Sequence, residues 1–375
     1  MKADPSRNGW IEILRFLFAC AIVGIHMSGY YAEQGHYFHS GYIVIDAFFV
    51  LTGLLAMISL RRSYCFTPEL TPLQRLLTLL KKKWLKVYPL YLLSFVILFL
   101  FQETMEYHNN LYGMLNGFAA ATGELLGVAV LGLGGGIATK GALYYNLPGW
   151  YFSAMLIGLA VVLFLAIWLK DLFLPLIAPG VAVLLYGYLH LKVGHLQIWE
   201  ILGDRYLFPL WRAIAGLCLG AFASLLYDSL CTVRLRWAGR VLRSGAELLM
   251  AAWILWYAFR PWAQWGVVDF SVPFAAALLF PMLLSHSRVS GKMGDSVPHK
   301  AACWLGYIRL PLWLNHYLVI QVFRILQLQG GIWTMYFSIL AISVAVAVMV
   351  QTISTILQKV CAYLWRKGKN LLIES

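Results

Sequence analysis

The sequence predicts an all-α polytopic membrane protein, and three observations carry that expectation. Mean hydropathy is +0.73, and only 12% of the 375 residues are charged. Apolar runs long enough for a helix to cross a hydrocarbon core recur along the whole chain. Lysines and arginines gather between the runs, as in the cytoplasmic loops of membrane proteins. Such a composition excludes a soluble domain, and the length exceeds one membrane anchor. A net charge of +13 would suggest nucleic acid in a soluble protein. Here loop placement accounts for it, so the expected partner is the lipid bilayer and no nucleic acid.

The first run, Trp10 to Gly29, holds Arg15 and His26. Eleven helical residues rise about 16 Å in roughly three turns, which puts both side chains on nearly one face. Ionisable groups are costly inside a bilayer, so the pair marks a working surface. Glu12 and Arg15 give the run a polar face and no convincing cleavage pattern follows, so the helix is expected to stay rather than leave as a signal peptide. The second run, Gly41 to Leu60, carries Asp46 near its start. A short outer loop makes it antiparallel to the first, which brings Asp46 to the depth of His26.

The segment Arg61 to Lys86 sets Arg61, Arg62, Arg75, Lys81, Lys82, Lys83 and Lys86 against Glu69 alone. It is expected in the cytoplasm, and the N-terminus with it. A third helix follows from Val87 to Phe101. The basic segments 228 to 245 and 286 to 300, and the tail with Arg366, Lys367 and Lys369, are also expected inside. Four apolar runs, about 118–136, 148–169, 173–191 and 206–227, separate the third helix from the basic segment at 228. Four crossings would leave that segment outside. The run 118–136 is broken by Glu124 and by glycines at 123, 127, 132, 134, 135 and 136, so it is the one expected not to span. Residues 102–147 therefore read as an outer-side excursion, partly helical or re-entrant. Helices at about 246–261, 267–285, 302–325 and 332–360 bring the expectation to about ten spans with both termini cytoplasmic. No repeat divides the chain, and residues 1–375 read as a single domain. Six cysteines without Cys-x-x-Cys spacing predict neither disulfides nor a metal cluster. His36 and His39 lack a carboxylate or cysteine partner, so no metal site is expected there.

Arg15, ten intervening residues, His26, then Asp46 with Phe48-Phe49-Val50-Leu51-Thr52-Gly53 resemble the membrane acyltransferase-3 family of sugar and polysaccharide O-acylases. That family's signature is a basic residue, ten residues, a histidine, and a second helix like Gly-Val-Asp-x-Phe-Phe-x-x-Ser-Gly. Ile45 stands at the family's valine and Thr52 at its serine, so the hydroxyl survives. The resemblance implies a core of about ten helices in a bacterial inner membrane. It also implies acyl-CoA, most simply acetyl-CoA, as co-substrate with no resident cofactor, and an envelope glycan or lipid-linked sugar as acceptor. The family's optional soluble hydrolase-like extension is not expected, because the sequence ends soon after the last helix.

Acyl transfer to a hydroxyl needs a base, an oxyanion stabiliser and a donor held in line. His26 suits the base, and Asp46 at matching depth suits the group that fixes its tautomer; a buried His-Asp bond that only joins two helices is the alternative. Arg15 reads as a donor-phosphate ligand toward the cytoplasm, or as a cation paired with Glu12. Lys83-x-x-Lys86-x-x-Pro89 resembles the family's Arg-x-x-Arg-x-x-Pro donor element with lysines in place of both arginines. Lysine keeps the charge and loses the bidentate fork, and anchoring to acidic lipid is the other reading. Thr52, Trp150 and His316 are the expected lining residues. Trp150, in Tyr144-Tyr145-Asn146-Leu147-Pro148-Gly149-Trp150, reads as a sugar platform or an interfacial belt residue. His316 either lines the cavity or packs beside it. A transporter or flippase would use similar intramembrane charges, but the paired broken helices of such folds are not apparent.

Overall fold

A computed structural model describes residues 8–31, 37–107, 111–126, 145–198, 207–260, 266–285 and 297–373. The expectations for His36, Tyr144, the glycines from 127 to 136, Arg288 and Lys292 lie outside the described residues. Every regular element among the described residues is helical. The helices are α1 Gly9–Ser28, α2 Val44–Phe66, α3 Pro72–Gln102, α4 Leu111–Ala120, α5 Thr122–Leu125, α6 Trp150–Leu169, α7 Ala178–Val193, α8 Phe208–Thr232, α9 Trp237–Phe259, α10 Ser271–Leu284, α11 Val297–Ile325 and α12 Ile332–Ile373.

Among the described residues, seven helical stretches are long and apolar enough to cross a membrane. One of them, Leu147–Val193, contains both α6 and α7, parted by a turn at Lys170 where φ is 45°. α9 and α11 run 23 and 29 residues. Both are long enough to span, yet their charged and polar side chains keep them out of that apolar class. In the expected excursion the longest described helix is α4, with 10 residues. At about 1.5 Å per residue it covers only half a hydrocarbon core.

The third helix begins far earlier than Val87. Thr71 accepts from the Gln74 amide at 3.3 Å and its own amide donates to Gln74 Oε1 at 3.0 Å, a reciprocal cap ahead of Pro72. The lysines from 81 to 86 therefore stand on α3 and not in a loop. Its 31 residues are about 46 Å long, more than a core needs, so the polar first turns can sit beyond the hydrocarbon. α9 likewise starts at Trp237, inside the basic segment expected as a connection.

Two contacts fix where α1 lies. Ile11, Leu14, Phe18, Ala21 and Ile22 join the cluster built by α2, α6 and α8, while Ala19, Val23 and Met27 join a second cluster with α11 and α12. Arg15 and His26, both half-buried, are left in the seam. α2 and α8 bring their backbones into close approach, because Gly53 faces the Leu217 carbonyl and Gly220 faces the Val50 carbonyl where any Cβ would collide. Small residues that let backbones meet are how helices associate when lipid offers no hydrophobic contrast.

Candidate functional site

His26, in the last turn of α1, meets His316 of α11. His26 Nδ1 lies 2.7 Å from His316 Nε2, with the rings 10° from parallel. The other nitrogen of His316, Nδ1, faces the Trp313 carbonyl at 2.8 Å and the Leu312 carbonyl at 3.3 Å. A carbonyl only accepts, so Nδ1 of His316 carries the proton and its Nε2 is the acceptor. His26 Nδ1 must then donate. That leaves Nε2 of a neutral His26 with its lone pair, on a residue that is half-buried rather than enclosed. An imidazole nitrogen so placed can take a proton from a hydroxyl.

The backbone around His316 is held on both sides. Asn315 Nδ2 donates to Ser94 Oγ of α3 at 2.9 Å and to the Pro311 carbonyl at 2.8 Å. Asn146 Nδ2 donates to the Leu314 carbonyl at 3.1 Å. Asn146 is fixed in turn by Glu124 of α5, whose carboxylate accepts from the amides of Tyr145 at 2.8 Å and Asn146 at 2.7 Å. Burial pushes the Glu124 carboxyl up to about 7, against the pull of those two amides. α5 is thus tied through Glu124 and Asn146 to the stretch of backbone that presents His316.

Asp46 is placed otherwise than the sequence reading expected. Its carboxylate is wholly buried and binds Arg212 of α8, from Nε at 2.9 Å and from Nη2, and accepts from Tyr186 at 3.2 Å. The expected pairing with His26 is replaced by His316. The physical reason is charge: a guanidinium inside the bundle needs a carboxylate more than a neutral imidazole does. Arg212 also donates to the Tyr42 and Ile198 carbonyls, so it joins α2, α8 and the stretch after α7. Arg212 was legible as an arginine inside an apolar run that requires an acid somewhere; which acid was not.

At the other end of α1, Glu12 bridges Arg15 at 3.2 Å and Arg309 of α11 at 2.9 Å. Lys83 of α3 lies within electrostatic reach of Arg15, Lys86 and Arg309. Two arginines from α1 and α11 thus share one carboxylate, and α3 brings Lys83 within electrostatic reach of both, with Lys86 beside it. Arg15 Nε is buried without an acceptor, which leaves a donor for a ligand oxygen. Arg309 escaped the sequence reading because nothing local distinguishes it from a snorkelling cation.

The Tyr151 ring stacks on Phe49 at 4.7 Å and meets Trp313 edge-on at 4.7 Å, and Thr52 lies near enough to influence its phenol. Trp150 is 3% exposed, with the Arg212 guanidinium 5.9 Å from its ring, so its ring packs inside the bundle beside the Asp46–Arg212 pair. The aromatic residues beside His26 are Tyr317, edge-on at 6.3 Å, and Tyr30. Among the described residues no group of histidines, cysteines and acids could hold a metal ion.

No curated protein and no solved structure gives a significant match to this chain. The acyltransferase-3 family model, described as an acyltransferase domain, matches residues 8–352. That match spans α1 through the first half of α12 and includes both histidines and the four cations, and the chain belongs to the acyltransferase-3 family as a membrane acyltransferase.

Proposed function

We propose that the protein transfers an acyl group, most simply acetyl, from cytoplasmic acyl-CoA to a hydroxyl of an envelope glycan or lipid-linked sugar. The observation that carries this reading is the His26–His316 hydrogen bond, whose geometry leaves His26 Nε2 free to act as base. His26 Nε2 takes the proton of the acceptor hydroxyl as its oxygen attacks the thioester carbonyl. The tetrahedral intermediate collapses with cleavage of the C–S bond, and the imidazolium returns its proton to the CoA thiolate. His316 positions His26 and disperses the imidazolium charge toward the α11 carbonyls. Arg15, Lys83, Lys86 and Arg309 hold the donor phosphates, with guanidiniums supplying the fork that the lysines lack. The donor arm lies along α1 from the cations to His26.

This reading counts α6 and α7 of the long stretch Leu147–Val193 as two spans and adds α9 and α11 to the apolar stretches. Ten crossings put both termini in the cytoplasm, the four cations at the inner side and His26 toward the outer side of a bacterial inner membrane. The test is turnover by purified protein in lipid nanodiscs, with acyl-CoA supplied and an acceptor glycan present. CoA release should depend on acceptor and collapse in His26→Ala. Acceptor-dependent release that survives in His26→Ala overturns the mechanism.

A further inference from the structure

Outward from His26, four side chains form a face that the acyl transfer reading has not used. Tyr317, Gln321 and Arg324 lie on one side of α11 at helical spacing. Tyr30, just past the end of α1, leans over them. The Tyr30 and Tyr317 hydroxyls are 2.7 Å apart, and Gln321 Nε2 donates to Tyr30 at 3.3 Å. Gln321 is only 3% exposed, yet its Oε1 has no hydrogen-bond partner. A buried amide oxygen without a donor costs free energy unless something supplies one. Beyond it the Arg324 guanidinium stands 5.6 Å from the Tyr30 ring, on an exposed residue.

We infer that this face is the acceptor subsite and that it selects a sugar bearing an acidic group, a carboxylate or a phosphate. The inference rests on the acyl transfer reading for its place in the reaction. Each part has a chemical task. The two phenol rings offer flat, amphipathic surfaces for a pyranose. The Gln321 carbonyl takes a sugar hydroxyl as donor, which satisfies its orphan acceptor. Arg324 pairs with the anion, the group a guanidinium binds best. From His316 to Arg324 the helix rises about 12 Å, so an anion at Arg324 sits on the sugar being acylated or on its neighbour. A cation in the last turn of α11 also suits the helix dipole. The dipole gives no account of the orphan amide one turn away, nor of a tyrosine pair aligned between that amide and His26.

The test is binding, independent of turnover. Methyl glucuronoside, glucose 1-phosphate and neutral methyl glucoside are titrated onto the purified full-length protein in detergent and read by saturation-transfer NMR. At least one anionic sugar should bind about tenfold tighter than the glucoside, as expected for a charge-assisted contact. Which anion wins tells a uronic acid acceptor from a sugar phosphate. Arg324→Gln should reduce the anionic sugars to the level of the glucoside, and Arg324→Lys should retain part of the preference. Gln321→Leu should weaken all three together. Equal binding of the three sugars by the unaltered protein, or a preference that persists in Arg324→Gln, overturns the inference. Absence of turnover with every acceptor would count against acyl transfer, and the binding series would still decide the acidic preference.

Discussion

The imidazoles of His26 and His316 are joined by a 2.7 Å hydrogen bond, and the carbonyl of Trp313 dictates which way the protons run along it. The consequence is an asymmetry between the two residues. His26→Ala removes the base and should lower kcat by about 10²- to 10⁴-fold. His316→Phe keeps the base but frees its tautomer, so kcat should fall about 10- to 100-fold with KM for acyl-CoA unchanged, in the manner of other orienting partners. Steady-state kinetics on both variants checks the order. Equal losses would mean that the two act as one unit.

Asp46→Asn should be a folding lesion before it is a catalytic one. It leaves Arg212 buried without its carboxylate, a change that typically costs about 3–5 kcal/mol. Thermal unfolding in detergent should show a large drop in Tm. Asp46→Leu combined with Arg212→Met removes both charges and should recover much of it. A folded Asp46→Asn protein that is merely slow would restore a direct part for Asp46 in the chemistry.

Donor affinity should follow the cations gathered near the N-terminal end of α1. Arg309→Ala and the Lys83→Ala, Lys86→Ala pair should each raise KM for acyl-CoA, about tenfold, through lost charge-assisted contacts to phosphate. Arg309→Lys should recover less than Lys83→Arg gains, because only the guanidinium binds phosphate with two parallel donors. Binding of CoA alone, measured by calorimetry, separates this effect from turnover.

The Glu124 junction should be sensitive to pH. A carboxyl raised to about 7 is favoured in its neutral form by the fold. Its contribution is therefore complete below the ordinary glutamate range and lost as pH climbs through about 7. Limited proteolysis of the segment 102–147 should speed up between pH 6 and pH 8, and Glu124→Gln should flatten that rise.

Arg15 and His26 were legible because both sit within one helix, where spacing alone settles their relation. Asp46 was legible as an important residue and misread in its partner, since Arg212 lies 166 positions away and the bundle decides which acid meets which base. His316 is 290 positions from His26, and nothing in an Asn-His pair announces what it will touch. The start of α3 was readable in principle from Thr71, Pro72 and Gln74. The lysines drew attention away from it, because positive charge reads as loop when hydropathy is the guide. Counting crossings led to the expectation of an excursion at 102–147, whereas Glu124 stood out in the sequence only as a blemish in an apolar run.

Since α3 is continuous, Lys83 and Lys86 share one helix with Ser94, which holds Asn315 next to His316. Between the two ends lies Pro89, whose missing amide leaves the rod a single compliant joint. A loop at this place would have let the lysines and the scaffold of the imidazoles settle independently. One helix carries both, so the separation between them is set by its backbone.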